Sequence, residues 1–206
     1  MATLITDPQF ERELIAQRQE WGVDKFDEVW DGVYVMAPMA NDEHQFLVKE
    51  LTTVLTIAID WANLGQTRPG VNVSDRREDW KSNFRIPDVA VFLNGTKAEN
   101  CGAFWLGGPD FGVEIISPGD RALLKLPFYA SVGTGEILVI EREPWALTSY
   151  RLHHGEMVEA GKSTPENGQA IDSAVVPMKW QLLQGEEGIN IQITHHDGVQ
   201  QWLVNV

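Results

Sequence analysis

Two short apolar runs, residues 89–92 (VAVF) and 113–116 (VEII), constrain the fold more than any other feature. They are rich in β-branched residues and lack regular polar alternation. Such runs read as strands of a central sheet covered on both faces. Each is marked by a carboxylate where an apolar residue is expected. Asp88 directly follows Pro87, and Glu114 lies between Val113 and Ile115. A buried carboxylate is costly unless it is paired, protonated or bound to metal. A short helical segment containing Lys125 follows. An acid at the start of one central strand, an acid inside its neighbour and a nearby lysine form a candidate site for one hard cation and an activated water. Pro-Asp alone carries little information. Pro109-Asp110 follows Gly107-Gly108, and turn chemistry explains it.

The rest of the chain is expected to build layers around those strands. Residues 7–21 form a first helix capped by Asp7, with Pro8 in its first turn and a narrow stripe of Phe10, Leu14 and Ile15. Asp31-Gly32, between two β-prone runs in residues 28–36, signals a hairpin. A long helix capped by Asn41 or Asp42 runs to about Asn63 and ends at Gly65. Leu47, Leu51, Val54, Leu55, Ala58 and Trp61 form its buried face. Residues 72–84 read as polar and irregular. Strands are expected at 136–141, 145–152 and 157–160, a loop at 161–168, and β structure at 173–183, 189–194 and 199–206. Helix, hairpin, helix, strands, helix, strands is the order of a mixed α/β sheet with helices on its faces.

At 206 residues and 43% hydrophobic, with 8 Trp and 8 Phe, the chain can bury the core of a single domain, residues 1–206. Its net charge of −14 argues against non-specific attraction to a polyanion, so nucleic-acid contact would need a local basic patch. Arg68, Arg76, Arg77, Lys81 and Arg85 form the one local excess of basic residues, either a solvated loop or a phosphate contact. Cys101 is the single cysteine, so there is no internal disulfide framework. No signal peptide or membrane-length apolar segment is visible, so a cytoplasmic location is expected. His153-His154 and His195-His196 precede turn residues and match no zinc spacing.

These pieces, in order, resemble the Uma-type restriction-endonuclease family, a branch of the PD-(D/E)XK nuclease superfamily. Glu28-Val-Trp-Asp31-Gly32 looks like its E-x-x-D-G hairpin, and His44 matches its histidine. Arg85-Ile-Pro87-Asp88-Val-Ala-Val is similar to its R-x-P-D strand, and Val113-Glu114-Ile-Ile-Ser117-Pro118 to its v-E-v-l-S-P strand. Lys125, Tyr129-Ala130 and Gly133 match K-x-x-x-Y-A-x-x-G. The resemblance covers about residues 25–152, with a C-terminal β-rich extension over about 153–206.

The resemblance implies a restriction-endonuclease-like core, a four-stranded mixed sheet flanked by helices. It implies that Asp88, Glu114 and the backbone carbonyl of Ile115 bind Mg²⁺ (or Mn²⁺). Lys125 would take the role of the superfamily lysine, whose usual position is Ile116 here, and Glu28 would complete the acidic cluster. Tyr129 is either a holder of Lys125 or a core aromatic. The implied substrate is DNA, cut by a homodimer. Pro127 inside the helix, Arg121 in place of an acid and a short 117–125 connection depart from the pattern. Three readings therefore stand: a metal-dependent DNA endonuclease, an inactive nuclease-fold binding module, and a metal-independent hydrolase using the two carboxylates as acid and base.

Overall fold

The computed structural model describes residues 7–37, 40–116, 122–186 and 188–206. Helix α1 (Pro8–Glu20) is capped by Asp7, whose carboxylate accepts hydrogen bonds from the Gln9 and Phe10 amides. Strands β1 (Glu28–Trp30) and β2 (Val33–Val35) form the expected hairpin. Asp31 and Gly32 both take positive φ, 48° and 84°, as a type I′ turn requires. Helix α2 (Asp42–Leu55) begins at Asn41, whose side chain accepts from the His44 amide.

Strands β3 (Gly65–Pro69), β4 (Val73–Ser74), β5 (Phe84–Arg85), β6 (Val89–Leu93), β7 (Glu99–Asn100), β8 (Trp105–Leu106) and β9 (Phe111–Ile116) follow. Helix α3 (Leu126–Ser131) precedes β10 (Glu136–Arg142), β11 (Trp145–His153) and β12 (Glu156–Ser163). The chain closes with β13 (Ile171–Asp172), β14 (Met178–Gln184), β15 (Ile189–His195) and β16 (Gln201–Asn205).

The fold is mixed α/β, as expected, but its central sheet has six strands rather than four, in the order β3-β6-β9-β10-β11-β12. The β9–β10 pair is parallel and the other pairs are antiparallel. Alternation divides its two faces. Val89, Val91, Phe111, Val113, Ile115, Leu138 and Ile140 share a buried cluster with Leu47, Leu51 and Leu55 of α2 and with Met178, Trp180, Ile191 and Ile193 of the C-terminal sheet β13-β14-β15-β16. Ile137 and Val139 point the other way, to Phe128 and Tyr129 of α3 and to Val73. On that second face lies a small sheet, β2-β1-β5-β4-β8-β7, which includes the N-terminal hairpin. Burying Leu51 or Leu47 fully is worth about 1.5–3 kcal/mol each, so α2 is held by its apolar face.

Several sequence expectations need correction. The long helix turns into a π segment, Thr56–Asp60, and Asn63 takes the left-handed φ of 56° near its end, not Gly65. The wider π turn moves later side chains off the buried stripe, leaving Trp61 72% exposed. Gly65 instead opens β3. There a Cβ would come within 2.4 Å of the Phe92 carbonyl oxygen, which explains why the residue is glycine. The expected loop at 161–168 starts later, because β12 extends to Ser163. Pro127 sits in the first turn of α3, where a missing amide costs nothing, and a 3₁₀ turn over Ala122–Lys125 leads into it. Ser117, Pro118 and Arg121 of the motif reading lie outside the described residues.

Candidate active site at one end of the central sheet

Strands β6 and β9 are neighbours with Val89 opposite Val113. The next position along that register sets Asp88 against Glu114, side by side at one end of the sheet. Asp88 Oδ2 accepts the Ile115 amide at 2.7 Å, which ties the two strands together beyond their ladder. Its Oδ1 lies 3.1 Å from His44 Nε2, delivered by the first turn of α2. Because Val113 and Ile115 face α2, Glu114 faces the opposite layer and meets α3.

Lys125 and Tyr129, one helical turn apart, converge on Glu114 as their spacing suggested. Lys125 Nζ lies 3.2 and 3.0 Å from the two Glu114 oxygens, and the Tyr129 hydroxyl donates to Oε1. Tyr129 is fully buried, so it is at once a core aromatic and a holder of the glutamate. Glu28 arrives from the hairpin, with Oε1 2.9 Å from Lys125 Nζ and 2.7 Å from the Ile86 amide. Its Oε2 accepts the Trp30 indole N–H at 2.6 Å. The four residues expected to form the site, Glu28, Asp88, Glu114 and Lys125, therefore come together. The Asp88 side chain is 21% exposed and that of Glu114 only 4%, so Asp88 marks the open side.

The electrostatics follow from three acids around one lysine. Burial pushes the Glu114 carboxyl up, to about 8; Lys125 pulls it back, while Asp88 and Glu28 push it further up. Burial also opposes the charge on Lys125, but Glu114, Glu28 and Asp88 outweigh it and hold the ammonium above the ordinary lysine range. Glu114 and Lys125 titrate as one coupled pair. Lys125 stays charged, and Glu114 gives up its proton late. Burial, then Glu114, pushes the Tyr129 phenol well up, so it remains a donor.

Other expectations resolve against function. Arg76 pairs with Asp75 at 2.7 Å and approaches Asp31, Arg77 pairs with Glu99, and Arg68 is 3.8 Å from Asp60. Arg85 is buried. The basic excess is thus largely neutralised locally, which favours the solvated-loop reading over a phosphate surface. Asp110 of the second Pro-Asp accepts the Leu93 amide at 2.8 Å, a structural role. Among the described residues, no three His, Cys, Asp or Glu side chains are arranged to cage a metal on their own. Sequence reasoning missed Arg142, whose guanidinium reaches Glu43 at 2.6 Å, Asn41 at 3.1 Å and the Ile116 carbonyl at 3.2 Å. It fastens the start of α2 to the end of β9, a long-range contact that no local pattern announces.

The sequence profile of the family described as "Uma2: Putative restriction endonuclease" matches residues 23–185. The chain belongs to the Uma2 family. The fold agrees with this membership. A solved structure described as a "putative nuclease belonging to DUF820", from Anabaena variabilis ATCC 29413, superimposes with a TM-score of 0.56. It is 16% identical, and the match covers 70% of this chain and 79% of that one, which shows a shared fold. No curated protein matches. Among the described residues, no helix is long and apolar enough to cross a membrane.

Proposed function

We propose that this Uma2 protein is a divalent-metal-dependent endonuclease that hydrolyses DNA phosphodiester bonds. The observation that carries the proposal is the meeting of Asp88 and Glu114 at one sheet end, with Lys125 3.0 Å from Glu114 and Glu28 closing the cluster. The donor chemistry fits a hard cation. The cluster gathers three carboxyl groups around one lysine, and a bound cation would take the place of the late-leaving Glu114 proton. Two carboxylates with the remaining positions left to backbone, water and phosphate is how Mg²⁺ is commonly held, and it needs no all-protein cage. The Ile115 amide points to Asp88. By strand geometry, the Ile115 carbonyl leaves on the same edge, beyond the last β6 ladder pair.

Asp88, Glu114 and the Ile115 carbonyl would hold Mg²⁺ or Mn²⁺, which when bound supplies an acidified water and neutralises charge on the phosphate. The chain's own residues do the rest. Lys125 presents a permanent positive charge that can orient the water or stabilise the charge developing on the phosphate oxygens. Tyr129 fixes the Glu114 carboxylate, His44 steadies Asp88, and Glu28 gives the Lys125 ammonium a second carboxylate anchor. Cutting both strands needs two such sites, so the working form is a homodimer. Nicking of supercoiled plasmid tests the proposal. Mg²⁺ or Mn²⁺ should support it, and EDTA or Glu114→Gln should abolish it. Nicking that survives EDTA would instead point to a carboxylate acid/base pair. The net charge of −14 and the paired arginines favour one alternative, an inactive nuclease-fold module, and it predicts no turnover in either metal by a folded protein.

A further inference from the structure

Lys125 is the catalytic group whose position is least secured by its own element, a 3₁₀ turn leading into a six-residue helix. It depends on Glu28, and Glu28 is itself held by Trp30, an unspecified position of the E-x-x-D-G hairpin, which in turn packs on Arg85, the first residue of the R-x-P-D strand. Trp30 lies two positions further along β1, on the same side, and its indole N–H donates to Glu28 Oε2 at 2.6 Å. The Trp30 ring is covered by the Arg85 guanidinium, 4.6 Å from its centroid, and the same guanidinium lies 4.4 Å from the Phe128 ring centroid. Phe128 belongs to α3, adjacent to Tyr129. One cation between two rings thus links the hairpin carrying Glu28 to the helix carrying Tyr129.

Arg85 is anchored by Nη1, which donates to the Val29 and Phe84 carbonyls and to Asn83 Oδ1, each at 3.0 Å. Its Nε is buried with no hydrogen-bond partner among the described residues, and burial pulls its pKa down against the pull of Glu28. A buried guanidinium with an unsatisfied donor is poor cement. For stability alone, an apolar side chain of similar volume would usually serve as well or better. A planar cation that stacks on both rings does something an apolar residue does not: it sets the Trp30 plane, and with it the direction of the indole N–H.

We propose that Trp30 and Arg85 are positioning residues for Lys125, acting through Glu28 as a stacked Trp30–Arg85–Phe128 clamp. The catalytic part of this inference rests on the endonuclease reading of Lys125; the positioning part does not. The test compares wild type, Trp30→Phe, Glu28→Gln and the double variant. Phe keeps a ring against Arg85 and removes only the N–H donor. Trp30→Phe should lower kcat for plasmid nicking about tenfold or more while KM for DNA stays within about twofold. The double variant should be no slower than Glu28→Gln, because both changes act on one link. Losses that multiply, or a Trp30→Phe enzyme as fast as wild type, would overturn the inference. The Lys125 ammonium signal in ¹⁵N NMR gives a readout without turnover. It should broaden or exchange its protons faster in Trp30→Phe and in Arg85→Met, which removes the cation and keeps the stem. An unchanged signal in both variants overturns the positioning role. Should wild type nick no DNA, the endonuclease reading fails, and the ammonium signal still decides whether the clamp holds Lys125.

Discussion

Replacing Lys125 with Met keeps most of the side-chain volume and removes the one cation that, among the described residues, lies within 3.2 Å of both Glu114 and Glu28. Breaking a buried ion pair by deleting one partner costs about 3–5 kcal/mol when the surviving charge cannot escape. Here escape is available, because burial already raises Glu114 to about 8 and loss of the lysine raises it further. Below that range a proton takes over part of the lysine's role. The remaining cost is that of leaving Glu28 short of a donor, about 1–3 kcal/mol. The destabilisation of Lys125→Met should therefore be smaller at pH 6 than at pH 9, and reach its full value only above the raised Glu114 pKa of the variant. For a chain of this size the full value corresponds to roughly 10 °C in Tm. Urea unfolding of both proteins at the two pH values measures it. Mg²⁺ at about 100 times its Kd should return about 2.7 kcal/mol to the variant if the ion binds the same acids. A loss that is equal at pH 6 and pH 9, or absent at pH 9, would refute the picture of three acids sharing one lysine.

Two further predictions follow from the same geometry. The folded Glu114 pKa lies above its ordinary 4.5, so its proton stabilises the metal-free fold at low pH, and that contribution is lost as pH rises through about 8. Proton and cation compete for the same oxygens, so Mn²⁺ affinity measured by titration calorimetry should rise up to about tenfold per pH unit and level off above about 8. Glu114→Gln should flatten that dependence; a slope that survives the substitution would place the competing proton elsewhere. Away from the site, Gly65→Ala should destabilise the fold by about 1–3 kcal/mol in thermal unfolding, because the new methyl would meet the Phe92 carbonyl oxygen at 2.4 Å. A neutral result would mean that β3 can move off β6 freely.

The parts of this structure legible in the sequence were those with strong local contrast. Asp88 and Glu114 stood out because each interrupts or borders a run that only a covered sheet explains, and Lys125 and Tyr129 because four-residue spacing puts them on one helix face. The Asp31-Gly32 turn was legible because few dipeptides tolerate two positive φ angles. What escaped notice was non-local or too short to show a period. Strand β3 reads Gly-Gln-Thr-Arg-Pro, with no β pattern, and exists because β6 offers it an edge. The π turn that exposes Trp61 leaves no compositional trace. Arg85 looked like one member of a basic patch, yet it is buried between rings contributed by residues 30 and 128. Asp75 stands next to Arg76 in the sequence, but Glu99, which neutralises Arg77, could be paired with it only once the loops were placed. The resemblance to the Uma-type family put the site residues in order. It carried nothing about Trp30 as a donor to Glu28, because that contact is a matter of geometry.

The central claim is that Asp88 and Glu114 act together on a phosphodiester through a shared divalent ion. The most direct test incubates supercoiled plasmid with wild type and with Asp88→Asn, side by side, in Mg²⁺ and in Mn²⁺. The account predicts metal-dependent nicking by wild type and none by Asp88→Asn, with both proteins equally folded by circular dichroism. Equal nicking by the two proteins, or a folded wild type that nicks nothing in either metal, would contradict it.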